Sequence, residues 1–148
     1  METICAAAHT TGAILLQSDV RTSDVPMTTS VAEMSTGYFQ HDLHVTDARA
    51  VRGVPLLIAG RAVITDADIY RSEREMMRDP VSDMRETHGY RWWAGIGFRA
   101  GSALWALSLQ RTPGEGPFEK QEAKALAGLS QRLTETATLS KLVGRQVL

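Results

Sequence analysis

Hydrophobic and polar positions alternate or recur in ways that divide the chain into short helices and strands. The opening "ETICAAAHTT" is an alanine-rich helical pattern that stops at Gly12, and "GAILLQSD" behind it has the length of a buried strand. "DVPMTTSV" is a second strand candidate across the polar "RTS", so the two suggest a hairpin, with Pro26 confining the second to a sheet edge. Val31, Met34 and Tyr38 then recur at helical spacing, although Gly37 interrupts the pattern. In "VTDARAVRGVPLL", Thr46 or Asp47 can cap a short helical turn that Gly53 and Pro55 are expected to end. "RAVITDADI" reads as a brief strand running into caps. Three capping signals follow: Asp66 ahead of Ile69, Ser72 with Glu75, and Asp79 ahead of Pro80, giving short helices up to a stop at Gly89.

"GYRWWAGIGFRAGSALWALSLQRT" carries the strongest strand signal, two apolar runs around a glycine-containing turn at residues 100–102. Strand alternation puts Tyr90, Trp92, Ala94, Ile96 and Phe98 on one face, assigned to a core, and Arg91, Trp93, Gly95, Gly97 and Arg99 on the other. In the second run both faces are largely apolar, so that strand should be covered twice. Arg111 closes it and "TPGEG" turns the chain. The final helix shows a stripe of Ala123, Leu126, Leu129, Leu133 and Ala137, which should lie across the sheet. Leu139, Leu142, Val143 and Val147 fall mostly off that stripe and call for a different partner.

Composition narrows the class. At 148 residues and 43% hydrophobic, the chain supports a single domain spanning residues 1–148 around one sizeable core. A net charge of −1 with dispersed Lys and Arg does not build the clustered positive surface that binds phosphate backbones. No apolar run reaches the roughly 18 residues that span a bilayer, and no secretory signal opens the chain, so a cytoplasmic location is expected. The single cysteine, Cys5, reads as a small buried apolar residue.

Several residues invite chemical readings. His41 and His44, near Asp42 and Asp47, are read as a solvated helix end rather than a metal site, and no cofactor is expected. His88 beside Gly89 reads as a helix end, and Asp66 and Asp68 as capping carboxylates. There is no Gly-x-Ser-x-Gly elbow and no phosphate loop, and Gly95-Ile96-Gly97 lies in mid-strand. What remains is a small-molecule pocket lined by aromatics. Trp92, Trp93 and Trp105 are candidates, although Trp92 and Trp93 point opposite ways and core packing is the default for each; Tyr38, Phe39 and Tyr90 could add to the wall.

Arg111, Gly116, Pro117 and Phe118, a helix with Leu126 and Leu133, and "ATL" at residues 137–139 resemble the end of the GAF-like sensor region of LuxR-type transcriptional regulators. "DAR" at residues 47–49, "ITDADI" at 64–69 and "THGYR" at 87–91 resemble that family's motifs in order and spacing. Glu119 departs from the family's usual Thr, Ser or Asp cap.

The resemblance implies an α+β fold of GAF/PAS-like type: an antiparallel sheet flanked by helices, with a pocket on one side and the terminal helices on one face. It implies a non-catalytic sensory domain, homodimeric through Leu139, Leu142, Val143 and Val147. Contact with DNA would come only through a helix-turn-helix domain not present in this chain. The rival expectation is a small enzyme using His41, His44 or His88 with a nearby Asp as acid and base.

Overall fold

A computed structural model describes the backbone of residues 2–17 and 26–147, and the side chains of residues 4–17 and 26–136. Among the described residues, four antiparallel strands form one sheet in the order β1-β4-β3-β2: β1 is Gly12–Gln17, β2 Val63–Thr65, β3 Trp92–Ala100 and β4 Ala103–Arg111. Seven α-helices among these residues surround it: α1 (Glu2–Ala8), α2 (Ala32–Gln40), α3 (Ala48–Ile58), α4 (Asp66–Ile69), α5 (Glu73–Arg78), α6 (Pro80–Thr87) and α7 (Lys120–Val147). The fold is thus α+β with an antiparallel sheet flanked by helices, consistent with the GAF/PAS-like architecture.

The two central strands are joined by the expected hairpin, with Gly101 at φ +65° in its turn and Ala94 opposite Leu109, Ile96 opposite Leu107. Alternation then sorts their side chains onto two faces. Ala13, Val63, Ala94, Ile96, Leu107 and Leu109 pack with Cys5 and Ala8 of α1, Phe118, and Leu126 of α7. The terminal helices therefore share one face. Ala123, Leu129 and Leu133 join this cluster as partly buried members, so the stripe read along the final helix lies on the sheet as far as Leu133; Ala137 lies outside the residues whose side chains are described. The other face carries Ile64, Trp93 and Leu104, which pack with Leu57 of α3, Ile69 of α4 and Met76 of α5. Both faces of β4 are covered, as its apolar composition requires.

Arg111, at the end of β4, binds the terminal elements together. Its guanidinium donates to the carbonyls of Ala8 (2.9 Å), His9 (3.1 Å) and Pro117 (3.1 Å), pairs with Glu122, and lies 3.8 Å from the centre of the Phe118 ring. A residue that seemed only to close a strand thus fastens α1, the following loop and the start of α7.

Three sequence expectations are corrected. The helix predicted to stop at Gly53 and Pro55 runs through both, to Ile58. Pro55 removes a bond to the carbonyl of Val51, but both residues are exposed, so that carbonyl can turn to water. Gly53 is there for packing: a Cβ would come within 2.8 Å of Ile64 Cδ1. In its described part, residues 26–31, the second predicted strand reduces to one bridge, Met27 with Ile14; its first two residues and the proposed turn lie outside the described residues. Asp66 is not the cap of α4; Thr65 is, and Asp68 completes a capping box, its carboxylate accepting from the Thr65 N–H at 2.8 Å.

Other caps follow the sequence. Ser72 Oγ accepts from the Glu75 N–H, Asp79 Oδ1 from the Val81 N–H, and Asp47 Oδ1 from the Arg49 N–H. Among the described residues, no helix is long and apolar enough to cross a membrane.

Candidate functional site

Between α2, α3 and the second face of the sheet lies a cavity of about 120 Å³. The strands contribute side chains by alternation: Ile14 and Leu16 from β1, Trp93 and Gly95 from β3, and Leu104, Ala106, Ser108 and Gln110 from β4. Helix α2 supplies Met34, Ser35, Tyr38 and Phe39; α3 supplies Arg49, Ala50, Gly53, Val54 and Leu57. Glycine at 95 matters here, because a Cβ at that position would fall within 2.7 Å of the Trp93 ring. The indole therefore lies over backbone that has no side chain to displace it.

Of the aromatics singled out in the sequence, Tyr38, Phe39 and Trp93 line this cavity. Trp92, the neighbour that points the other way, lines a separate groove with Asp66, Tyr70 and Phe118. Trp105 pairs with Gln17 and Phe98 and is half-buried away from the cavity. Tyr90 is buried with Ile14, Val31 and Met34, its hydroxyl donating to the Ser30 carbonyl at 3.1 Å. These three are therefore not brought to the cavity. Leu139, Leu142, Val143 and Val147 lie outside the residues whose side chains are described.

The wall carries charges that sequence reading assigned elsewhere or did not single out. Arg85 of α6 reaches Asp47 Oδ1 at 2.7 Å, and Arg49 Nε reaches Asp66 Oδ1 at 2.8 Å; all four residues are buried. Tyr38 donates its hydroxyl proton to Asp47 Oδ2 at 2.8 Å, and the Trp93 N–H donates to Asp66 Oδ2 at 2.8 Å. Asp79 stands beside the network, accepting from the Tyr70 hydroxyl at 2.7 Å and the Ala48 N–H. The "DAR" triplet is thus the start of α3 and two members of a buried charge network.

The two ion pairs differ electrically. Burial by itself would raise the Asp47 carboxyl, but the Arg85 charge and hydrogen bond, assisted by Arg49, hold it below the ordinary value. Arg85 answers in kind: burial pulls it down, and the Asp47 charge lifts it above its ordinary value. In the other pair burial wins. It pushes the Asp66 carboxyl up against the opposing effect of Arg49, and pulls Arg49 down with the neighbouring Arg85 charge adding to the effect. Since a guanidinium stays protonated throughout the working range, Asp66 is the carboxylate of the two that takes a proton first.

On the sheet side, the Trp93 indole N–H donates to Ser108 Oγ at 2.7 Å, and Gln110 Nε2 donates to the same oxygen at 2.9 Å. Six buried side-chain polar atoms among the described residues have no hydrogen-bond partner. Five of them, Ser35 Oγ, His44 Nδ1, Arg49 Nη1, Arg85 Nη1 and Gln110 Oε1, belong to residues that line this one cavity. Native interiors satisfy nearly all such atoms, so their concentration in residues around one cavity sets this region apart from the rest of the described interior.

His44 lies in the cavity wall with its ring centroid 6.4 Å from those of Tyr38 and Phe39, whereas His41 is exposed at the end of α2. His88 closes α6, its backbone N–H donating to the Arg85 carbonyl. Among the described residues, no group of three or more His, Cys, Asp or Glu is placed to hold a metal ion.

Sequence reasoning missed Arg49 and Arg85 because charged residues on short helices are ordinarily solvated. The available signal was position: Arg49 falls one turn before Gly53 on the face that Gly53 presses against Ile64. Compared with protein-family models and with curated proteins, the chain matches none.

Proposed function

We propose that this chain is a non-catalytic sensory domain of a LuxR-type transcriptional regulator, cytoplasmic and homodimeric, which binds a small molecule and passes the event to α7. The observation that carries the reading is the cavity itself, set on the opposite sheet face from the terminal helices, with five of its lining residues holding a buried polar atom that has no partner. A hydrolytic or transfer enzyme needs a nucleophile or base free to act. Asp47 and Asp66 are instead committed to arginines and backbone N–H groups.

The same strands touch cavity and helix. On β4, Ser108 and Gln110 line the cavity while Leu107 and Leu109 join the cluster with α7. On β3, the Gly97 carbonyl accepts from Ser130 Oγ and the Arg99 N–H donates to Thr134 Oγ1 at 3.1 Å. A shift of these strands on ligand binding would therefore move the helix contacts. The apolar positions Leu139, Leu142, Val143 and Val147 supply the pairing surface in this reading.

The test is the gene. An open reading frame that continues beyond Leu148 into a helix-turn-helix segment is the expected result, and a stop codon directly after Leu148 would contradict the regulator assignment. The enzymatic alternative retains one specific observation, the buried and unpartnered His44 Nδ1 in the cavity wall. It requires His44→Ala to abolish a turnover that the protein displays.

A further inference from the structure

Resting on the sensory reading, the packing around the cavity narrows the class of ligand. On the α7 side of the sheet the buried apolar residues form one continuous cluster. On the other side, among the described residues, they fall into two: one around Trp93 with Leu57, Ile64 and Leu104, and one around Ile14 and Met34. Both clusters line the cavity, which is therefore the gap between two parts of a core. Leu16, Phe39, Val54 and Ala106, also in its wall, are only half-buried.

Polar groups of the wall are engaged within the protein or enclosed by it. The Asp47 carboxylate accepts from Arg85, the Arg49 N–H and the Tyr38 hydroxyl, and Ser108 Oγ accepts from the Trp93 indole and Gln110. The unpartnered atoms of Ser35, His44, Arg49, Arg85 and Gln110 have no accessible surface, so a molecule in the cavity does not reach them. What the cavity exposes is almost wholly apolar.

Size and polarity then point the same way. A buried water makes about three hydrogen bonds, and this wall exposes almost nothing to make them with. An apolar cavity of about 150 Å³ stays dry and admits one benzene ring; this one measures about 120 Å³. A charged or hydroxyl group would give up its hydration there without gaining a partner.

We propose that the cavity binds a neutral, hydrocarbon-like molecule of single-ring size, which joins the two clusters into one core. The guest packs against the Trp93 indole and covers the half-buried Leu16, Phe39 and Val54.

Toluene, phenol and benzoate, of nearly equal size, test this by titration of the 148-residue chain, read at the Trp93 indole N–H resonance. Saturable one-to-one binding of toluene, at least tenfold tighter than either of the others, is expected, and Ala106→Leu should remove it. Phenol or benzoate binding within tenfold of toluene overturns the apolar selection and leaves the cavity a ligand site. Toluene binding that does not shift the Trp93 indole, or that survives Ala106→Leu, overturns the placement of the guest. If none of the three binds at millimolar concentration, the ligand class and the ligand-site reading fail together.

Discussion

Asp47 Oδ1 lies 2.7 Å from an Arg85 guanidinium nitrogen while also accepting the backbone N–H of Arg49, so one carboxylate starts α3 and fixes α6 to it. Removing its charge strands Arg85 in a buried site. Asp47→Asn should destabilise the fold by about 3–5 kcal/mol, read as a lowered urea midpoint at neutral pH. A change under 1 kcal/mol would show the pair to be peripheral.

Acid titration should separate the two buried carboxylates. The folded pKa of Asp47 is lowered from 3.8, so its stabilisation is complete above that value and lost as pH falls through the lower, folded one. Asp66 is raised from 3.8, so the folded state binds the extra proton, and its contribution falls as pH rises from 3.8 through the raised value. Asp66→Asn should abolish the decline above 3.8, and Asp47→Asn the loss below it. Urea unfolding across acidic pH reads both slopes; identical profiles for the two variants would refute the distinction.

Gly95→Ala places a methyl group 2.7 Å from the Trp93 ring and should push the indole off the cavity floor. Overpacking of this kind costs about 1–3 kcal/mol. The loss should appear in thermal melting together with a changed Trp fluorescence maximum. An unchanged spectrum would mean that the ring has room to spare.

Filling the cavity discriminates function from poor packing. Ala106→Leu adds apolar bulk at a half-buried wall position. With about 0.8 kcal/mol per buried CH₂, it should raise thermal stability modestly while abolishing binding of an apolar single-ring probe such as toluene. Retained binding would place the ligand elsewhere.

Much of the fold was legible because it rests on local chemistry. The β3–β4 hairpin announces itself through aromatics around a glycine turn, and Ser72, Asp79 and Asp47 cap helices through oxygens that satisfy free N–H groups. The errors arise where tertiary packing overrules a local rule. Gly53 reads as a stop, yet it sits in mid-helix because Ile64 occupies the space a side chain there would need; Pro55 is tolerated on the exposed side. Asp66 reads as a cap, yet Arg49, seventeen positions earlier, claims it.

The candidate site was half legible for the same reason. Alternation correctly says that Trp92 and Trp93 cannot share a cavity, but not which of them faces it; the small residue at Gly95 beneath Trp93 settles that in three dimensions. Arg49 and Arg85 come from different helices, 36 positions apart, and no sequence pattern links them.

The three indole N–H resonances offer the most direct test of the cavity as a sensor input, since Trp93 alone of the three tryptophans lines it. In a ¹⁵N-resolved titration with an apolar single-ring probe such as toluene, the Trp93 indole and the Gly95 and Ser108 amides should shift at one saturating concentration, with Arg99 and Ser130 following through the strand-to-helix hydrogen bonds. Shifts confined to the Trp92 or Trp105 indoles, or a Trp93 response with α7 unmoved at saturation, would contradict the account.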